Sequence, residues 1–137
     1  MTNTSVTTLL NKQDCSDAVH EVIQSAQQSI AIFSQQLEPL LYNHREICDA
    51  MSSLARKNQH SHIRVLVVKT QSISLDGHCL ITLAQRIPSS IQIKVPVTAE
   101  LLRFSESWLI ADNHTICQIN NPDRYEGSLI KNDRLHV

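Results

Sequence analysis

Glycine is almost missing from this chain: its 137 residues include only Gly77 and Gly127. A phosphate-cradling loop needs two or three glycines in a short stretch, so a P-loop and a dinucleotide fingerprint are excluded. The same shortage disfavours a turn-dense all-β barrel, whose tight turns draw on glycine. Aromatic residues are also few, and Phe33, Tyr42, Phe104, Trp108 and Tyr125 are scattered along the sequence. A stacking platform for single-stranded nucleic acid needs aromatics gathered on one surface. No long run of one charge exists, and 12 Lys and Arg face 13 Asp and Glu for a net charge of −1. The expectation is therefore no strong nucleic-acid signal, with at most a local basic patch.

Other absences narrow the class further. Cys15, Cys48, Cys79 and Cys117 stand more than thirty residues apart, with no CxxC and no close Cys/His pairing. That spacing argues against a zinc knuckle or a redox dithiol, and no metal or cofactor is expected. Cys48 and Cys79 fall in helix-like apolar settings and are expected to be small buried hydrophobes. No apolar run approaches the ~18 residues of a membrane span. The N-terminal MTNTSVTTLLNKQD lacks the basic start and apolar core of a signal peptide. These features predict a reduced, cytoplasmic protein. What is present is an ordinary globular mix, 42% hydrophobic and 18% charged, of a size for one core.

Along the chain, residues 1–13 read as a loose lead-in. Ala18, Val19, Val22, Ile23, Ala26 and Ile30 recur with helical spacing and predict a helix over about 15–28, capped by Asp14. Ser29–Ser34 (SIAIFS) reads as a buried strand. Pro39 opens a second helix over about 39–58, with Leu40, Ile47, Met51, Leu54 and Ala55 inward. Ile63–Val68 is rich in β-branched residues, which suggests a central strand buried on both faces. Asp76 is placed to cap a third helix over about 77–87, ended by Pro88. Ile91–Val95 alternates as a strand, and Trp108–Asp112 with Thr115–Ile119 forms a hairpin around Asn113 and His114. The residues after Asn120 read as a polar, irregular tail. The order α-β-α-β-α-β-β-β predicts an α/β fold, a mixed β-sheet flanked by helices. The expected organisation is a lead-in 1–13, a domain 14–120 and a tail 121–137.

In open α/β sheets ligands gather beyond the carboxyl ends of the strands, where helix N-termini also point. Two stretches reach that place: the segment from Ser34 to Tyr42 and His44, and Asp76-Gly77-His78. A histidine at a helix N-terminus is held toward its neutral form, which suits His78 to a base or hydrogen-bonding role; the alternative is an exposed turn residue. Tyr42 is either a ligand contact or a packing residue at the sheet edge. His60-x-His62 puts two imidazoles on one side of a strand, but no further ligand lies nearby. Arg56, Lys57, His60, His62 and Arg64 form a modest basic cluster that reads first as a solvated surface. GxSxG is absent, so there is no nucleophile elbow.

The strand pair SIAIFS and IRVLVV and the final WLIAD-turn-TICQI hairpin resemble one half of the phospholipase D-like fold. In that superfamily the site motif is His-x-Lys, four further residues, then Asp. Asp112 stands in the place of the aspartate. Ser105 and Ser107 stand where the His and the Lys would be. Gly127-Ser128 is similar to the Gly-Ser step that follows the motif. Phe33-Ser34, Leu37-x-Pro39-x-Leu41-Tyr42, Gly77-His78-x-Leu80, Gln85-Arg86-x-x-Ser89 and Leu109-x-x-Asp112 are similar to motifs of a small bacterial family of unknown function within that fold. The likeness spans about residues 15–120.

The resemblance implies a phospholipase D-like sheet, but two serines cannot replace the imidazole nucleophile and the phosphate-holding ammonium. It further implies a small polar cleft lined by Tyr42, His78, Arg86, Ser105, Ser107 and Asp112, with Arg86 equally suited to capping its helix. Catalytic members pair two halves, so a homodimer is expected. Some members of the small family lie beside or are fused to GNAT-type acetyltransferases, which suggests an acetyltransferase partner. The functional expectation is a non-catalytic binding or regulatory module. The alternatives are an enzyme of other chemistry using His78 as general base, or an accessory subunit.

Overall fold

The computed structural model describes residues 4–34, 39–57, 62–67, 79–94, 106–112, 114–121 and 125–132. They form a seven-stranded mixed sheet with helices on one side. The elements are β1 (Thr4–Leu9), α1 (Lys12–Ser25), β2 (Ser29–Ser34), α2 (Pro39–Tyr42), α3 (Arg45–Lys57), β3 (His62–Val67), α4 (Cys79–Arg86), β4 (Ile91–Lys94), β5 (Ser107–Ala111), β6 (Thr115–Asn121) and β7 (Glu126–Asn132). Spatial order across the sheet is β1-β7-β6-β5-β2-β3-β4. The neighbours β2–β3 and β3–β4 are parallel, and every other pair is antiparallel. The predicted mixed α/β sheet flanked by helices is therefore present. Among the described residues no helix is long and apolar enough to cross a membrane.

The ladder explains why the helices share a face. Four antiparallel steps leave β1 running in the same sense as β2. Three crossovers, through α1, α3 and α4, then each join strands of like direction and each step the same way across the sheet. Right-handed crossovers stepping one way place all their helices on one side. The burial pattern agrees: Ile30, Ile32, Ile63, Val65, Val67, Leu109, Cys117 and Ile119 are buried against Val19, Val22, Ile23, Ile47, Met51 and Leu80 of the helices. The opposite side chains of the same strands are half-buried or exposed. In β3, His62 and Arg64 are exposed and Leu66 is half-buried, so this strand is buried on one face rather than both.

Several sequence expectations are corrected. The lead-in carries β1 and the tail carries β7, and the two pair along six positions from Thr4↔Asn132 to Leu9↔Gly127. Helix α1 starts earlier than expected because Asn11, not Asp14, is its cap: Asn11 Oδ1 accepts the Asp14 amide at 2.9 Å. Asp14 in turn accepts the Leu10 amide at 3.0 Å, so its side chain reaches back to the residue before the cap rather than to the cap itself, a departure from the reciprocal capping box. The helix expected over 39–58 is broken after Tyr42 into α2 and α3. Asp76, expected to cap the next helix, lies outside the described residues; Asn43 Oδ1 accepts the Cys79 amide at 2.9 Å at the start of α4.

The cysteines differ from expectation as well. Cys48 and Cys79 are joined by a disulfide between α3 and the first turn of α4, with Cα atoms 6.3 Å apart. Spacing of 31 residues hid the pair, since only the β2–α3–β3–α4 winding brings the two helices together. Cys15 and Cys117 are free and buried. Burial pushes their thiols up to about 11 and about 12 respectively, helped by the nearby Asp14 charge for Cys15 and by Cys15 for Cys117. Gly127 meets a close approach: a Cβ there would lie 2.0 Å from the Gln118 carbonyl oxygen.

Candidate binding site

The carboxyl ends of the parallel strands β2, β3 and β4 lie along one edge of the sheet. Because β5 runs against β2, with Phe33 opposite Trp108, its first residue Ser107 begins at that same edge next to Ser34. Ser34 is 0% exposed and Ser107 2% exposed. The Ser107 hydroxyl has no hydrogen-bond partner among the described residues. Tyr42, on α2 at this edge, is 1% exposed and belongs to the hydrophobic core.

Asp112 lies at the other end. It is five residue steps along the chain from Ser107, about 16 Å. It adopts the left-handed conformation, φ 55°, and turns its carboxylate back to the start of β2. Oδ1 accepts the amides of Gln28 at 2.7 Å and Ser29 at 2.9 Å, and Oδ2 accepts that of Gln27 at 2.8 Å. Its own amide donates to the Ser29 carbonyl at 3.0 Å. Burial alone would raise its pKa. The amides of Ser29, Gln27 and Gln28, with His114 nearby, outweigh burial and hold the carboxyl below the usual range. Such a carboxylate is a structural acceptor with both oxygens engaged.

Arg86 is exposed at the C-terminal end of α4. The helix runs against the strands it joins, so Arg86 lies at the Asp112 end of the sheet. Of the six residues expected to line one cleft, the four described are divided between opposite ends: Tyr42 and Ser107 at one, Arg86 and Asp112 at the other. His78 and Ser105 lie outside the described residues, as does His60 of the His60-x-His62 pair.

A feature not foreseen from sequence is the helix-free face of the sheet, the face that carries no helix among the described residues. Cross-strand register lines its side chains into rows. One row runs Lys94, Leu66, Phe33, Trp108, Gln118, Ser128 and Thr8, from β4 to β1. The next holds Gln92, Arg64 and Ala31, then the aliphatic Ile110, Ile116, Ile130 and Val6. Phe33 and Trp108 are in contact, with ring centroids 5.3 Å apart and planes tilted by 37°. They sit in a groove of about 520 Å³ together with Leu66, Arg64, Gln92 and Lys94. Arg64, Gln92 and Lys94 are exposed, and the two rings are half-buried. The signal existed in the sequence as period-two alternation in SIAIFS and SWLIA. Using it required the pairing of two strands 75 residues apart.

Comparisons with known proteins follow the fold. Residues 11–137 match the model of a family described as Domain of unknown function (DUF7931). No curated protein matches the sequence. Among solved structures, the chain is similar to TrmBL2, an archaeal chromatin protein whose structure shows a novel mode of DNA binding, with TM-score 0.66 and 15% identity. That match covers 96% of this chain and 45% of TrmBL2, so the chain spans under half of that protein's length. It is also similar to NucT from Helicobacter pylori, with TM-score 0.56 and 15% identity over 99% of this chain and 88% of that one. The NucT likeness is consistent with the phospholipase D-like fold. These matches do not fit an association with GNAT-type acetyltransferases. The expectation of no strong nucleic-acid signal is overturned, because the fold is shared with a DNA-binding chromatin protein. The scatter of aromatics in sequence hid that two of them, Phe33 and Trp108, meet on one sheet face beside Arg64 and Lys94.

Proposed function

The chain belongs to the family of unknown function DUF7931, and we propose that it is a non-catalytic phospholipase D-like domain that works as a nucleic-acid-binding module. The observation that carries this reading is the groove on the helix-free face, where Arg64 and Lys94 lie beside the Phe33–Trp108 pair. Cations beside apolar rings suit a ligand with charged phosphates and flat bases. The DNA binding reported for TrmBL2 supports the same direction.

The non-catalytic part rests on the motif. Phosphoryl transfer through a side chain needs a nucleophile with a base, and cations on the phosphoryl oxygens. Ser107 stands in the place of the cation and is buried in the sheet edge. Asp112 is engaged by three backbone amides at the far end. The test is direct. Purified protein is titrated into labelled single-stranded and duplex oligonucleotides at low salt, and the same preparation is assayed for phosphodiesterase turnover. Binding without turnover is expected. Failure to bind either oligonucleotide, or metal-independent turnover, would overturn the proposal.

A further inference from the structure

The groove selects among nucleic acids by its shape. Among the described residues the face is a surface seven strands wide, about 29 Å at the usual strand spacing. Such a surface does not enter the major groove of a duplex, which is about 12 Å wide. In a duplex the base faces are also stacked away from any protein ring. In an unpaired strand they are free to leave the stack and lie on an aromatic side chain.

The side chains are arranged for that use. Phe33 on β2 and Trp108 on β5 are direct cross-strand partners and form an adjoining, half-buried ring pair in the middle of the sheet. Counted from Phe33, Arg64 on β3 and Lys94 on β4 stand one and two strands away on the same face, in adjacent rows, with Trp108 one strand further off. Those offsets are about 5 and 10 Å across the strands, the reach from a stacked base to its own and its neighbour's phosphate. Beyond the rings their own row continues with the uncharged Gln118, Ser128 and Thr8, and the adjacent row, past Arg64 and Ala31, becomes aliphatic with Ile110, Ile116, Ile130 and Val6. A strand is thus given a phosphate side and a base side.

Building on the nucleic-acid reading above, we infer that this face takes single-stranded nucleic acid, with bases stacked on Phe33 and Trp108 and the adjoining phosphates held by Arg64 and Lys94. Contact is to base faces and phosphates, so sequence preference is weak. Salt dependence is shallow: two phosphates correspond to a slope of about −1.4 in log K against log salt.

Trp108 is the sole tryptophan of the chain, so tryptophan emission reports on this face alone. The intact protein is titrated with a short oligo-thymidylate, and separately with its duplex, while Trp emission and the anisotropy of the labelled strand are both followed. The single strand is expected to quench Trp108 and to bind at least about tenfold tighter than the duplex. Arg64→Glu with Lys94→Glu, both at exposed positions, is expected to weaken single-strand binding by about tenfold or more while leaving the thermal transition in place. Phe33→Ala is expected to weaken it similarly, with folding checked by circular dichroism. Duplex binding that leaves Trp108 emission unchanged would overturn this inference and leave the broader reading standing. Absence of all binding would overturn both. A Trp108 change that depends on protein concentration alone, with a rise in mass by light scattering and no effect of oligonucleotide, would mark the face as a protein contact and also overturn it.

Discussion

The Asp112 carboxylate accepts the Gln28 amide at 2.7 Å across 84 residues of sequence. With the Gln27 and Ser29 amides it ties the turn after β5 to the start of β2. This explains where α1 stops, since the residues just past its end give their amides to Asp112. Replacement by alanine leaves these donors to water. Each charge-assisted bond in a partly solvated setting contributes of order 1 kcal/mol, so Asp112→Ala is expected to cost about 2 kcal/mol at neutral pH, measured by urea denaturation. The pH dependence follows from the lowered carboxyl pKa. The unfolded chain binds this proton more readily than the folded one, so the stabilisation is complete above the ordinary value of 3.8 and is lost as pH falls through the folded value. Thermal midpoints measured from neutrality into acid should fall more steeply for the natural protein than for Asp112→Asn.

The Cys48–Cys79 bond closes a loop of 31 residues. Removing such a cross-link frees the unfolded chain by roughly 3–4 kcal/mol in the loop-entropy treatment. Reductant, or Cys48→Ser, should therefore lower the thermal midpoint by several degrees. Thiol counting provides a second readout. Denatured, unreduced protein should yield two thiols, from Cys15 and Cys117. The native protein should yield almost none at neutral pH, because both are buried and pushed up to about 11 and about 12.

At Gly127 any side chain meets backbone rather than a movable group, with Gln118 oxygen 2.0 Å and Ile119 Cα 2.8 Å from the position a Cβ would take. Gly127→Ala should force β6 and β7 apart locally and cost on the order of 2 kcal/mol or more. Hydrogen exchange should show faster opening of the β6–β7 ladder, with α3 protected as before.

For Ser107 the expected direction is opposite. Its hydroxyl is buried without a partner among the described residues, and such a group carries a desolvation cost. Ser107→Ala should leave stability unchanged or raise it by up to about 1 kcal/mol, seen as a higher urea midpoint at constant m.

Periodicity revealed the middle of the fold and missed its margins. SIAIFS, IRVLVV and the WLIAD hairpin carry enough apolar, β-branched residues to declare themselves, and the structure has strands there. β1 (TSVTTL) and β7 (EGSLIKN) do not, because each is an outer or near-outer strand with few core residues. Of their side chains, Leu9 and Leu129 reach the core, while Val6 is 63% exposed. Their strand character comes from pairing with each other and with β6, which no local pattern records. The candidate site was less legible. Chain order placed Ser107 and Asp112 in one motif, but a strand that joins them also holds them apart. Phe33 and Trp108 showed no relation until the antiparallel β2–β5 register was in place.

That register gives the sheet a reference point. From the Asp112 clasp the ladder runs Ile30↔Ala111, Ala31↔Ile110, Ile32↔Leu109 and Phe33↔Trp108. Side chains alternate between faces at each step, so a slip of one residue between β2 and β5 would turn one strand's set over. Trp108 would then exchange places with an aliphatic neighbour and enter the core, and the ring pair would vanish with no residue changed. The aspartate is a locating pin, fixing at one end of the strand the alignment on which the tryptophan at the other end depends.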